Sequence, residues 1–122
     1  MFSKSNEPLS PAVFYILLSL GVKDRHGYDI MKSVTQVSHE TITLGPGTLY
    51  GSIKKMLEEK LIEEVDERPD PSMDDERRRY YHLTSLGKKM LSVELKRFDE
   101  ALQTAKAAKL DISLTSLKIS FV

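Results

Sequence analysis

The chain has 122 residues, a length that suits one domain, and its 18 basic side chains are balanced by 18 acidic ones. No run approaches the roughly 18 consecutive apolar residues that a membrane-spanning helix needs, and the start of the chain lacks the apolar region of a signal peptide. Cysteine is absent, which excludes disulfide bonds and thiolate chemistry. These features predict a cytoplasmic protein with no membrane segment.

The zero net charge argues against a nucleic-acid-binding domain, because such domains tend to be basic. The charges are nevertheless unevenly distributed. Residues 61–83 carry eight acidic side chains against four arginines, and residues 84–122 carry seven basic side chains against four acidic ones. Because the surplus of acid is confined to one segment, the sequence is compatible with a basic surface elsewhere.

The first half of the chain predicts a flexible arm at residues 1–8 and then two helices. Ser10 and Pro11 are typical of a helix start, with a capping hydroxyl followed by a proline in the first turn. Gly21 is predicted to end this helix, and a second helix is predicted to begin near Gly27. Apolar residues recur at helical spacing in both segments: Val13, Ile16, Leu17 and Leu20, then Ile30, Met31 and Val34.

A third helix is predicted over residues 47–59, after a turn around Pro46, with the Thr48 hydroxyl as its cap. Its apolar residues should face the core: Leu49, Ile53, Met56 and Leu57. The opposite face should present Tyr50, Ser52, Lys54 and Lys55. A phenol, a hydroxyl and two ammonium groups on one face can hydrogen-bond and neutralise phosphates in a DNA groove.

Two strands should follow this helix. Residues 62–65 and 77–83 read as strands, and the prolines and acidic residues between them predict a long polar loop. Three consecutive arginines, Arg77, Arg78 and Arg79, begin the second strand, next to the acidic residues 74–76. The acidic loop would be repelled by phosphate, so the base of this hairpin is expected to contact DNA rather than its tip.

A long helix over residues 84–108, capped by Thr84, is predicted to join two copies of the chain. Apolar residues recur along it at intervals of 4, 3, 4 and 3, as in a short coiled-coil seam: Leu91, Leu95, Phe98, Leu102 and Ala105. The partly alternating tail, residues 109–122, could be disordered, dock on the dimer or come from the expression vector.

The predicted order α-α-α-β-β-α is that of a mainly α-helical winged helix-turn-helix domain with a small β-hairpin, over residues 9–83, followed by a dimerisation helix. Three motifs then support a family: His26-Gly-Tyr-Asp-Ile30, Gly47-Thr-Leu-Tyr50 with Lys54-Lys55 after it, and Arg79-Tyr-Tyr-His-Leu-Thr-Ser-Leu-Gly87. In these motifs the chain resembles PadR-type transcriptional regulators, particularly the short members with one C-terminal helix. Lys60 departs from the family pattern, where glycine is frequent.

The resemblance implies a DNA-binding regulator, and we predict a dimeric repressor that is released from a pseudo-palindromic operator by an effector. It also implies that Tyr28 contacts the duplex backbone, although packing between helices is an equal alternative, and that the effector is a small, often aromatic, molecule. Lys32, one turn later, is a second candidate. The predicted DNA-binding residues are Tyr28, Lys32, Thr48, Tyr50, Ser52, Lys54, Lys55, Arg77, Arg78 and Arg79.

Two other classes of function compete with DNA binding. A winged helix can serve as a protein-interaction module without DNA binding, and the zero net charge favours that alternative. An enzyme is not predicted, because His26, His39 and His82 lie far apart in the sequence and outside any metal-ligand pattern. The sequence predicts no cofactor and no metal site.

Overall fold

The computed structural model describes residues 7–65 and 79–112, which form four helices and three short strands. In chain order these elements are α1 (Pro11–Val22), β1 (Arg25–His26), α2 (Gly27–Val37), α3 (Pro46–Glu58), β2 (Ile62–Val65), β3 (Tyr80–Leu83) and α4 (Ser85–Ala107). The strands form one antiparallel sheet in the order β1-β3-β2. The predicted helices and the β2–β3 hairpin are confirmed, whereas β1 was not predicted.

Side-chain caps fix the starts of three helices where the sequence indicated. The Ser10 hydroxyl accepts a hydrogen bond from the Val13 N–H at 3.2 Å, with Pro11 in the first turn of α1. His26 Nδ1 accepts from the Asp29 N–H at 3.1 Å and caps α2. The Thr84 hydroxyl caps α4. Each cap satisfies a backbone donor that the helix itself leaves unpaired.

The prediction that Thr48 caps α3 is wrong. The helix begins at Pro46, and its cap position is Gly45, three residues before Thr48, with no side-chain hydrogen bond. The fixed φ angle of proline is already helical, so Pro46 can start the helix without a hydroxyl cap. Thr48 is consequently an exposed residue inside the first turn.

The core lies between the first three helices, the sheet and the first half of α4. Its buried apolar side chains come from every helix and both hairpin strands, and they include Ile16, Leu17, Ile30, Val34, Leu49, Ile53, Met56, Leu61, Ile62, Leu83 and Leu91. Leu57 is half-buried at the edge of this cluster. None of the helices in the described part of the chain has the length and hydropathy needed to cross a bilayer.

The residue that follows α3 adopts a left-handed backbone conformation. Lys60 has φ 63°, and its N–H donates to the Leu57 carbonyl at 3.1 Å while the Leu61 N–H donates to the Met56 carbonyl at 2.9 Å. This is the Schellman pattern, in which glycine is usual because it lacks a Cβ. Lys60 adopts it at a steric cost, and the chain turns from α3 directly into β2.

Helix α4 runs from the core out along the protein surface. Leu91 is 7% exposed and belongs to the core of its own chain, so the exposed part of the predicted dimer seam begins at Leu95. Phe98 packs edge-to-face on Phe14 of α1, with ring centroids 4.9 Å apart.

The described part of the predicted N-terminal arm contacts α4. The Arg97 guanidinium donates a hydrogen bond to the Glu7 carbonyl at 3.2 Å. The predictions for residues 1–6, for the tail from residue 113, and for Arg77 and Arg78 fall outside the described residues.

Candidate nucleic-acid interface

The outer face of α3 carries the polar side chains that the sequence placed there. Leu49, Ile53 and Met56 are buried, and the opposite side of the helix points away from the core. Tyr50 is 51% exposed, and Thr48, Lys54 and Lys55 are also exposed. Ser52 is half-buried, so its hydroxyl is less accessible than the sequence suggested.

The start of α2 adds an aromatic ring and a cation to this surface. Tyr28 is 56% exposed, so a large part of its ring is accessible at the protein surface. One turn later, Lys32 Nζ lies 5.7 Å from the centroid of the Tyr28 ring, a cation–π arrangement that holds the ammonium group beside the phenol.

Tyr50 connects α3 to α2 through a close contact with Gly27. A Cβ atom at position 27 would lie 2.5 Å from the Tyr50 hydroxyl oxygen and 2.9 Å from the ring carbons Cε1 and Cζ. Only glycine leaves room for the ring there. The contact therefore places Tyr50 beside the residue that precedes Tyr28, and it gives Tyr50 a structural role as well as an accessible phenol.

Arg25, which the sequence did not identify as important, links the start of α2 to α1. Arg25 is 9% exposed; its Nε donates to the Ser19 carbonyl at 2.9 Å, and its Nη1 pairs with Asp29 at 3.1 Å. The spacing of opposite charges at i and i+4 was the signal that could have revealed this pair. Its effect is to fix the end of α2 that carries Tyr28.

At the base of the wing, Arg79 forms an ion pair with Glu64 across the β2–β3 ladder. Its Nη1 lies 3.0 Å and 3.2 Å from the two carboxylate oxygens, and both side chains are exposed to solvent. An exposed pair of this kind contributes little to stability. Phosphate can therefore compete with Glu64 for the guanidinium.

Tyr81 of β3 lies beneath this surface as a buried phenol. Burial raises the pKa of Tyr81, and the nearby negative charge of Glu64 raises it further. In the unfolded chain the phenol ionises near pH 10, while in the folded chain it is still neutral at that pH. The folded state then binds more protons than the unfolded state, so this contribution to stability is lost as the pH rises through the raised pKa.

We therefore expect the phenol of Tyr81 to ionise at a higher pH in the folded protein than in the unfolded chain. Absorbance of the phenolate band, followed against pH, measures this directly. Tyr81→Phe should remove the late step and reduce the loss of stability at alkaline pH. If the folded wild type and Tyr81→Phe differ by a phenol that ionises at the ordinary pH of a free tyrosine, the assignment is contradicted.

Comparison with known proteins decides the family. The model of the transcriptional regulator PadR-like family matches residues 16–93, which is more than half of the chain. The chain belongs to the PadR-like family. PadR-family proteins are DNA-binding transcriptional regulators without enzymatic activity, and the present chain is accordingly a DNA-binding regulator and not an enzyme. Within residues 7–65 and 79–112, no three His, Asp or Glu side chains are placed to hold a metal ion.

Individual relatives of this PadR-like chain agree in fold and extent. A PadR family transcription regulator from hypervirulent Clostridium difficile is 28% identical, with a TM-score of 0.64 over 80% of the present chain and 97% of that protein. A Streptococcus transcriptional regulator is also 28% identical, with a TM-score of 0.60 over 80% and 90% of the two chains. Uncharacterized protein X of Lysinibacillus sphaericus is 33% identical over 78 residues, 64% of this chain and 69% of that protein.

Proposed function

We propose that this PadR-like regulator is a dimeric cytoplasmic repressor that inserts α3, its recognition helix, into the major groove of a pseudo-palindromic operator. The observation that carries the proposal is the two-sided character of α3. Its apolar side is buried in the core, and its other side presents Tyr50, Lys54 and Lys55 to solvent. A helix held in this way can enter a groove about 12 Å wide without unfolding.

Each polar group of this surface has a role that follows from its chemistry. Lys54 and Lys55 neutralise phosphates, and the phenol of Tyr50 donates to a phosphate oxygen or a base edge. Thr48, free of capping, offers its hydroxyl at the helix N-terminus, where the backbone N–H groups also favour an anion. Tyr28 and Lys32 contact the DNA backbone beside the groove, and the exposed part of Ser52 adds a hydroxyl contact. Arg79, with Arg77 and Arg78, contacts DNA from the base of the wing, the β2–β3 hairpin.

The second copy binds through the outer half of α4. Leu95, Phe98 and Leu102 are exposed at 41%, 51% and 41%, and Ala105 continues the row toward the end of the helix. Burying these side chains against the same row of another chain would remove contiguous apolar surface from water. Leu91 is buried within its own chain, so it anchors α4 to the core and does not contact the second copy.

Regulation by a small aromatic effector is part of the same proposal. Phe98 on α4 and the half-buried Met90, about two turns before it, would contribute apolar contacts near the dimer seam. A ligand there changes the affinity for DNA only if it binds the dimer more tightly at one spacing of the two recognition helices than at another. The alternative, a winged helix that binds protein, is favoured by the zero net charge alone.

The experiment that tests the proposal is binding of purified protein to random duplex and to selected operator over a salt series. Because phosphate contacts release counterions, DNA binding should weaken steeply as salt rises. Retention on duplex DNA at low salt, lost at moderate salt, is the expected result. A protein that ignores duplex DNA at low salt would favour the interaction-module alternative.

The contact between Gly27 and Tyr50 yields a specific prediction. In Gly27→Ala the Tyr50 ring must move, and because about half of it is exposed it can swing outward without disturbing the core. We expect operator affinity to fall by about tenfold, while the thermal midpoint changes little because alanine suits a helix better than glycine. Affinity and thermal melts of the variant measure both quantities.

A double-mutant cycle with Tyr50→Ala provides the control for this prediction. If Gly27 acts through the Tyr50 ring, adding Gly27→Ala to Tyr50→Ala should cause no further loss of affinity. Fully additive losses would show that Gly27 acts by another route.

A further inference from the structure

The segment that joins β3 to α4 is bonded to the end of the recognition helix. The Thr84 hydroxyl oxygen lies 2.7 Å from the Lys60 carbonyl and 2.9 Å from the Leu61 carbonyl. The Thr84 backbone N–H also donates to the Leu61 carbonyl, at 3.0 Å. The hydroxyl and the backbone N–H of Thr84 thus bind the Lys60 and Leu61 carbonyls, shortly after the end of α3.

The same threonine begins the next helix. Its hydroxyl accepts a hydrogen bond from the Gly87 N–H at 3.0 Å, which is the N-terminal cap of α4. The hydrogen bonds from Thr84 to the Lys60 and Leu61 carbonyls are not required for capping α4. Thr84 therefore links the first turn of α4 to the end of α3 through one oxygen atom.

Gly87 brings the backbones of the two helices' ends into direct contact. It is buried, and a Cβ at this position would collide with the Leu61 carbonyl oxygen and lie 2.7 Å from Leu83 Cδ1. Leu61 is itself fully buried, so its carbonyl has no room to withdraw. Any side chain at position 87 would force α4 away from the end of α3.

We propose that Thr84, Gly87 and Leu61 form a rigid joint that fixes the angle between α3 and α4, which makes Thr84 and Gly87 positioning residues for operator binding. The inference rests on the proposed function, in which α4 carries the dimer contact and α3 the DNA contact. In such a dimer the joint sets the distance between the two recognition helices. It thereby sets the half-site spacing that the protein accepts.

The length of α3 amplifies small changes at the joint. With 13 residues, the helix is about 20 Å long, so a tilt of about 10° at its end displaces its start by about 3.5 Å. That displacement is close to the rise of one base pair, about 3.4 Å. A change at the joint is therefore large enough to alter which half-site spacing is preferred.

The test uses full-length protein and a series of operators whose half-site spacing changes one base pair at a time. Thr84→Val removes the hydroxyl at nearly constant volume, Thr84→Ser keeps it, and Gly87→Ala separates the two backbones. Ser85→Ala, an exposed change in the same turn, is the matched control. Circular dichroism and sedimentation first establish that each variant is folded and dimeric.

We expect the wild type, Thr84→Ser and Ser85→Ala to share one preferred spacing. Thr84→Val and Gly87→Ala should shift that preference or reduce the discrimination between spacings by about tenfold. A merely structural role would weaken all spacings by the same factor, and that outcome overturns the proposal, as does an unchanged spacing preference. Should Gly87→Ala fail to fold, the two Thr84 variants decide.

A measurement without DNA separates this inference from the proposed function. Because the chain has no cysteine, Gly47→Cys in the exposed first turn of α3, at the end of the helix far from Thr84 and Gly87, can carry the single spin label of each chain. The distance between the labels of a dimer should be narrow in the wild type and shifted or broadened with Thr84→Val. If the wild type binds no selected duplex, the proposed function fails, whereas unchanged label distances in Thr84→Val overturn the joint.

Discussion

Replacing Lys54 and Lys55 together by alanine is expected to weaken operator binding by about fiftyfold at 0.1 M salt, because two phosphate contacts and their released counterions are lost. Each contact contributes about 0.9 to the slope of log affinity against log salt, so the slope should become shallower by about 1.8. Both lysines lie on the exposed face of α3, opposite the buried Met56. Binding measured over a salt series provides the affinity and the slope together.

The matched control for this prediction is Lys106→Ala with Lys109→Ala. Both lysines are exposed, Lys106 in the last turn of α4 and Lys109 two residues after the helix ends, and replacing them removes the same net charge without touching the recognition helix. The control should change the slope far less than the Lys54 and Lys55 pair. Equal slopes for the wild type and the Lys54–Lys55 variant, with both proteins dimeric, would remove these residues from the interface.

The second large effect concerns stability. Glu94 of α4 is 4% exposed, and its carboxylate pairs with Arg97 Nη1 at 2.8 Å. Arg97→Met would leave the carboxylate in the interior without this counter-charge. Because an uncompensated buried charge is costly, we expect the free energy of unfolding to fall by about 3 kcal/mol. Urea denaturation at a fixed protein concentration measures the change, since stability of a dimer depends on concentration.

The double variant Glu94→Gln with Arg97→Met tests whether charge is the cause. Replacing both partners removes the buried charge, and such replacements are often close to neutral, so most of the lost stability should return. If the double variant is as unstable as Arg97→Met alone, the loss arises from packing or from the contact between Arg97 and the Glu7 carbonyl.

Local chemistry made the helices predictable from sequence. Ser10 with Pro11 marked the start of α1, and Thr84 marked the start of α4, because a cap acts on backbone groups within three residues of itself. The apolar spacing in α3 likewise identified the buried face with Leu49, Ile53 and Met56. The outward face of the candidate interface followed from the same periodicity.

Features set by distant contacts were not predictable in this way. Strand β1 has only two residues, and it exists because Arg25 and His26 pair with Tyr81 and Tyr80, more than fifty residues later. The Thr48 cap was wrongly predicted because the hydroxyl signal competed with Pro46, whose fixed backbone angle starts the helix earlier. No periodicity distinguishes these outcomes.

The same limit applies to the parts of the site that depend on packing between elements. The periodicity of α4 placed Leu91 and Leu95 in one seam, but contact with the body separates them into core and surface. The positions of Gly27 under Tyr50 and of Gly87 against Leu61 arise only when helices meet. In the sequence, both glycines are simply members of family motifs.

Two copies joined through α4 should present their α3 helices to successive turns of one DNA, and selection of binding sites from random duplexes by the purified protein is the decisive measurement. We expect an enriched pseudo-palindrome bound by two chains, with half-site centres about 34–36 Å apart or a multiple of that distance. Enrichment of an unsymmetrical site bound by one chain, or enrichment of no site, would rule out this arrangement.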